Sequence, residues 1–276
     1  MISRDMDVPV TRVQIPYSKL QALPKEERIA FLRVGWLFSE VNWLRKLLMI
    51  VGNQNLGQTE MPATHWLRTL LLTTICGKMY EGWKIISSDK NYIRKIVAHL
   101  LKSDDKFKKE HETLNSDLKK GSFIEKIRHN IGFHYQLKDF DQWPPHAQDG
   151  DQLLSVLFTE YDGDMLPSLP VVPLFETVAR LHRSSNNPEP NTYEEWEKSH
   201  LSSLNEVSKT SNCYCVYLQK IFLTMLKEIV QDDCNISYEK VENPPAYNAQ
   251  QIYFFMTPPS NETYDQLKKE LNPDKG

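Results

Sequence analysis

The stretch LSSLNEVSKTSNCYCVYLQKIFLTMLKEIV, residues 201–230, decides the fold class. Leu201, Leu204, Ser208, Ser211, Cys215, Leu218, Phe222, Met225 and Ile229 recur at alternating intervals of three and four. That period keeps one face of an α-helix aligned along its whole length. It predicts a helix from about Tyr193 to Asp232, with two serines set into the middle of the apolar stripe.

A second stripe runs through Val34, Leu37, Val41, Leu44, Leu48 and Val51 at the same alternation. Pro24 suits a first helical turn, Glu26 and Glu27 suit the positive end of the dipole, and Gly52-Asn53 stops the helix. A further helix is expected from Pro62 to Ser87-Ser88, and another over about Lys90 to Lys102 with Ile93, Ile96, Val97 and Leu100 inside. Trp36, Trp43, Trp66 and Trp83 fall on these helices and are read as core. Trp143, beside Pro144-Pro145, is read as a loop anchor.

Residues 104–120 are highly charged, with only Leu114 and Leu118 as an i, i+4 stripe, which reads as a solvent-facing helix or a connector. Gly121-Ser122 breaks it. Ser122 to Glu125 fits a capping box opening the next helix, whose stripe is Ile124, Ile127, Ile131 and His134. Residues 139–191 are proline-rich and acidic, with short helices expected at 150–159 and 173–184. Val8 to Ile15 reads as a weak strand. Ile236 to Val241 and Gln251 to Met256 read as two short strands, arranged as a hairpin.

These elements predict an all-α fold: a helical bundle of four to five long helices with an irregular acidic insertion and a small C-terminal β appendage. The expected division is an arm at 1–23, a bundle at 24–232 with the insertion at 139–191, and an appendage at 233–276. Composition agrees. The 276 residues include only 10 Gly against 16 Pro, too few glycines for a Rossmann sheet, a P-loop enzyme or a turn-rich β fold.

Lys plus Arg is 33 and Asp plus Glu is 36, a net charge of −3, which excludes a histone-like protein. The total conceals a pattern. Residues 84–138 carry 13 Lys and Arg against 7 Asp and Glu, a net +6. Residues 139–200 carry 3 against 12, a net −9. A basic block is followed by an acidic one.

Four cysteines, two of them spaced C-x-C, make neither a disulfide framework nor a zinc site. No signal peptide is visible, and no apolar run approaches the ~20 residues of a membrane span. The expectation is a cytoplasmic chain with no membrane partner. Motifs for zinc peptidases, serine hydrolases, nucleotide-binding loops and calcium loops are absent. Glu197-x-x-His200 is the sole match to half of a di-iron site and lacks the second copy such a site needs. Neither a cofactor nor a metal is expected.

The densest polar segment on an apolar stripe is Arg128-His129-Asn130-Ile131-Gly132-Phe133-His134-Tyr135. Polar groups at this density are costly unless each is used. On a straight helix Asn130 and His134 share a face, and Arg128 lies about 120° round and ~9 Å along the axis from His134. Histidine titrates near neutrality and can move a proton, while arginine stays charged and grips phosphate with two hydrogen bonds. Lys90, Arg94, Lys95, Lys102, Lys106, Lys108, Lys109, Lys119, Lys120 and Lys126 precede the segment, which suits a polyanionic partner.

The segment resembles the signature of the HEPN superfamily, helical-bundle proteins that include many ribonucleases of toxin–antitoxin and defence systems. That signature is an Arg followed, after four to six residues, by a His, with Asn, Asp or His next to the Arg. Here five residues separate Arg128 from His134, His129 fills the adjacent slot, and Asn130 follows one place late. The resemblance implies a homodimer in which two motifs form one cleft that cleaves RNA without metal. His134 would be the general acid/base, Arg128 the phosphate and transition-state cation, and His129 or Asn130 a positioning group. The products would be a 2′,3′-cyclic phosphate and a 5′-hydroxyl, and an antitoxin would be a partner. Two other readings stay open. One is a non-catalytic HEPN-like module for dimerisation or for nucleotide or RNA binding. The other is an unrelated scaffold that binds a partner helix along the 201–229 stripe.

Overall fold

The 3.6-residue periodicities become long helices packed side by side. The computed structural model describes residues 8–52, 61–89, 91–129, 156–158, 165–167, 177–178, 180–182, 193–230 and 235–241. In chain order these form β1 (Val8–Gln14), α1 (Tyr17–Ala22), α2 (Lys25–Gly52), α3 (Met61–Ser88), α4 (Tyr92–Ser103), α5 (Asp105–Asp117) and α6 (Phe123–Ile127). Then follow β2 (Val156–Phe158), β3 (Met165–Pro167), α7 (helical at 177–178 and 180–182), α8 (Tyr193–Val230) and β4 (Asn235–Val241). The chain is an all-α bundle with a small β appendage.

α8 is the axis, packed against α2, α3, α4 and α5. Leu204, Ser211, Cys215, Leu218, Met225 and Ile229 of its predicted stripe are buried, although Leu201 at the N-terminal end is exposed. Val207, Tyr214, Tyr217 and Ile221 are buried as well, because helices cover α8 on more than one side. The two serines soften the stripe. Ser211 is buried and its hydroxyl donates to the Ser208 carbonyl at 3.0 Å, so its polarity is satisfied within the helix.

Arginine and lysine finish the helix ends. Arg68 donates to the carbonyls of Val51 and Gly52 at 3.1 and 3.2 Å, capping α2 from α3. Lys19 of α1 donates to the Val230 carbonyl at 3.2 Å, placing a cation at the negative end of α8.

Two expectations are corrected, and a third is narrowed. Trp83 is buried as predicted, but Trp36 and Trp43 are 72% and 65% exposed, and Trp66 is also exposed. Trp36 and Trp43 lie seven residues apart on the side of α2 opposite Val34, Val41 and Leu48, so they share a face of their own. The charged 104–120 segment is a helix with most of its surface exposed, as one of its two readings has it, and its buried stripe takes in Phe107 as well. Phe107 and Leu114 are fully buried, Leu118 nearly so, and Phe107 stacks on Tyr217 with ring centroids 4.5 Å apart. Asp104 caps it by accepting from the Phe107 N–H at 2.9 Å. The predicted helix at 150–159 contains instead strand β2, paired with β3.

The β appendage is assembled from both ends of the chain. β1 pairs antiparallel with β4, Val8 opposite Val241 through Gln14 opposite Asn235. The partner expected for β4, Gln251 to Met256, lies outside the described residues. No described helix is long and apolar enough to cross a membrane.

Candidate functional site

The capping box at Ser122 is the foundation of the site. Gly121 adopts φ +82°, a conformation that favours glycine, and lets the chain turn into α6. The Ser122 hydroxyl accepts from the Glu125 N–H at 3.2 Å, and Glu125 Oε2 accepts from the Gly121 N–H at 3.1 Å. The reciprocal bond thus reaches one residue further back than in the usual box. It fixes the Glu125 carboxylate, whose other oxygen faces the next turn.

α6 packs against α3 with Ile124 and Ile127 buried, and the backbone widens to a π-turn at 128–129. Such single wide turns re-aim the side chains that follow them. Here the turn carries Arg128 and His129. Arg128 Nη2 pairs with Glu81 Oε1 at 2.7 Å, and Arg128 Nη1 meets His129 Nδ1 at 3.0 Å. His129 Nε2 lies 2.9 Å from Glu125 Oε1.

The directions of these bonds follow from chemistry. Arginine only donates, so His129 Nδ1 accepts. A neutral imidazole that accepts at Nδ1 carries its proton on Nε2, and that N–H donates to Glu125. The Tyr80 hydroxyl makes a longer contact to the same Glu125 oxygen, 3.5 Å, and its ring meets the His129 ring edge-on with centroids 6.1 Å apart. Burial first, and the Glu125 carboxylate second, raise the Tyr80 phenol above its ordinary pKa, so it stays protonated at neutral pH. Lys84 Nζ stands 4.5 Å from the Tyr80 ring centroid and 3.9 Å from Glu81.

Arg128 and His129 are therefore brought together with each other and with Tyr80, Glu81 and Glu125. Asn130 and His134 lie outside the described residues. The straight-helix geometry used to relate Arg128 to His134 does not hold at 128–129, where the turn is wider. Glu125 had a sequence signal, since it stands four residues before His129 on the same helix. Tyr80 and Glu81 had none, because they arrive from a helix some 45 residues earlier.

Of the basic block, Arg94, Lys95 and Lys102 on α4, Lys106, Lys108 and Lys109 on α5, and Lys119, Lys120 and Lys126 around the turn into α6 are exposed, whereas Arg128 is half-buried. Glu81 also lines a groove of about 500 Å³ between α2 and α3, with Leu32, Trp36, Leu37 and Ile85 as its apolar walls. Far from this cluster, His200 of α8 is buried, and its pKa falls to about 3 through burial and the nearby His65 and Arg68.

Comparison of the chain with protein-family models, with characterised proteins and with solved structures gave no match.

Proposed function

We propose that the chain is a HEPN-like, metal-independent endoribonuclease of a toxin or defence system, cytoplasmic and acting as a homodimer, with the Arg128/His134 motif working across the dimer. The observation that carries this reading is the end point of the basic run. The positive segments α4, α5 and the turn into α6 lead to a guanidinium in contact with an imidazole. Arginine there grips a phosphate, and the histidines handle the protons of a 2′-hydroxyl and a leaving oxygen.

A second reading has its own observation. Arg128 is half-buried and ion-paired with Glu81 of α3, which is what a cation used only for architecture does. On that reading the bundle is a non-catalytic module for dimerisation or for nucleotide or RNA binding.

The test is cleavage of bulk RNA in the presence of EDTA by the wild type, Arg128→Ala and His134→Ala. The ribonuclease reading expects EDTA-resistant cleavage that falls roughly 100-fold or more in either variant, with unchanged helical circular dichroism. Equal activity in all three proteins sinks it. Light scattering on a size-exclusion column reports the dimer, and a strict monomer removes the composite cleft.

A further inference from the structure

Transesterification of RNA needs two proton transfers, one from the 2′-hydroxyl and one to the departing 5′-oxygen, so a base and an acid must stand at the same phosphate. We propose that His129 is the group that takes the 2′-hydroxyl proton and that Glu125 is its positioning residue, an assignment that rests on the ribonuclease reading above.

The geometry carries it. Glu125 is held at Oε2 by the Gly121 N–H and offers Oε1 to His129 Nε2 at 2.9 Å. A carboxylate that accepts from one ring nitrogen fixes the tautomer, leaves the other nitrogen as the base, and stabilises the imidazolium that forms. The basic lone pair is then on Nδ1, the atom that Arg128 Nη1 covers at 3.0 Å. The Glu81 carboxylate, 2.7 Å from Arg128 Nη2, occupies the place that a phosphate takes on the guanidinium. When an RNA phosphate displaces Glu81, the guanidinium turns toward it and uncovers Nδ1 beside the bound phosphate.

Every proton and bond in this step has a destination. The 2′-O–H bond breaks and its proton goes to His129 Nδ1. The 2′-oxygen forms a bond to phosphorus. The bond from phosphorus to the 5′-oxygen breaks, and that oxygen takes a proton from His134. The resulting His129 imidazolium is neutralised by Glu125.

The experiment pairs spectroscopy with kinetics on the full chain. In a ¹⁵N-histidine NMR spectrum, assigned through His129→Gln, wild-type His129 shows the Nε2–H tautomer. In Glu125→Gln that tautomer is no longer fixed, because one amide cannot accept from both Gly121 and His129. With a dinucleotide substrate, Glu125→Gln lowers kcat about 10–100-fold at nearly constant KM, and Glu125→Asp recovers part of it. His129→Ala lowers kcat by roughly 100-fold or more.

An Nδ1–H tautomer in the wild type overturns the assignment whatever the activity. So does wild-type cleavage by His129→Ala alongside inactive Arg128→Ala and His134→Ala, and that pattern leaves the ribonuclease reading standing. A wild type that cleaves no RNA overturns both.

Discussion

His200 sits in α8 with 1% of its surface exposed and remains neutral far below the usual range of an imidazole. Its pKa falls from the ordinary 6.5 to about 3, through burial first and then His65 and Arg68. The unfolded chain binds a proton on this ring below about 6.5 that the folded chain refuses, so acid favours unfolding. Stability is flat above that point and falls as the pH drops toward 3, by up to about 1 kcal/mol per pH unit from this one group. Urea denaturation between pH 4 and pH 7 measures the slope. His200→Leu is expected to flatten it, and an unchanged slope would place the acid sensitivity elsewhere. At the candidate site, sequence proximity separates what is legible from what is not. Arg128 and His129 are neighbours in the chain, and Glu125 is one turn earlier, so their association can be read directly. Glu81 and Tyr80 join them only because α3 packs on α6, which no local pattern encodes.

Helix packing decides the next scale. At Gly82 of α3 a Cβ would stand 2.5 Å from Leu37 Cδ2 and 2.6 Å from the Tyr214 hydroxyl oxygen. Tyr214 is fully buried and Trp83 packs against its ring edge, so it has nowhere to retreat. Gly82→Ala gains about 1 kcal/mol of helix propensity and loses roughly 1–3 kcal/mol to overpacking, so destabilisation wins. Gly52, at the end of α2, meets nothing within 4 Å, and Gly52→Ala is expected to stabilise by about 0.5 kcal/mol. Thermal unfolding of the pair should move in opposite directions, and a stabilised Gly82→Ala would contradict the close approach of α2, α3 and α8. The long helices are readable from their stripes because an apolar face that repeats over many turns at this period arises on a helix and not on a strand. The tryptophans of α2 defeat the same logic. Periodicity identifies a face, but which of two apolar faces is covered depends on where the neighbouring helices stand. α5 has a faint signal because Phe107, Leu114 and Leu118 are few, yet each is inserted fully between α8 and its surroundings.

Across the whole molecule, stability is unevenly spread. Val207, Tyr214, Tyr217, Leu218, Ile221 and Met225 anchor α8 at the centre, whereas the described residues of β4 are all exposed and β1 is nearly so. A two-stranded sheet with both faces wet contributes little stability of its own. Hydrogen exchange is expected to be slowest along α8 at 207–225 and faster by orders of magnitude in β1 and β4. Comparable protection in both would mean that the sheet is buttressed by residues beyond those described. The site occupies an intermediate position, with Ile124 and Ile127 fixed in the core and the side chains of Glu81 and His129 each 42% exposed.

The pairing of β1 with β4 also bears on synthesis. Arg12 and Glu239, joined across the sheet at 2.9 Å, are 227 positions apart. At about 5–20 residues per second a ribosome needs roughly 10 to 45 s to supply the second strand after the first. Throughout that interval β1 is an open strand edge on a nascent chain whose helices can already be forming, so among the described elements the β1–β4 clasp is the last to close.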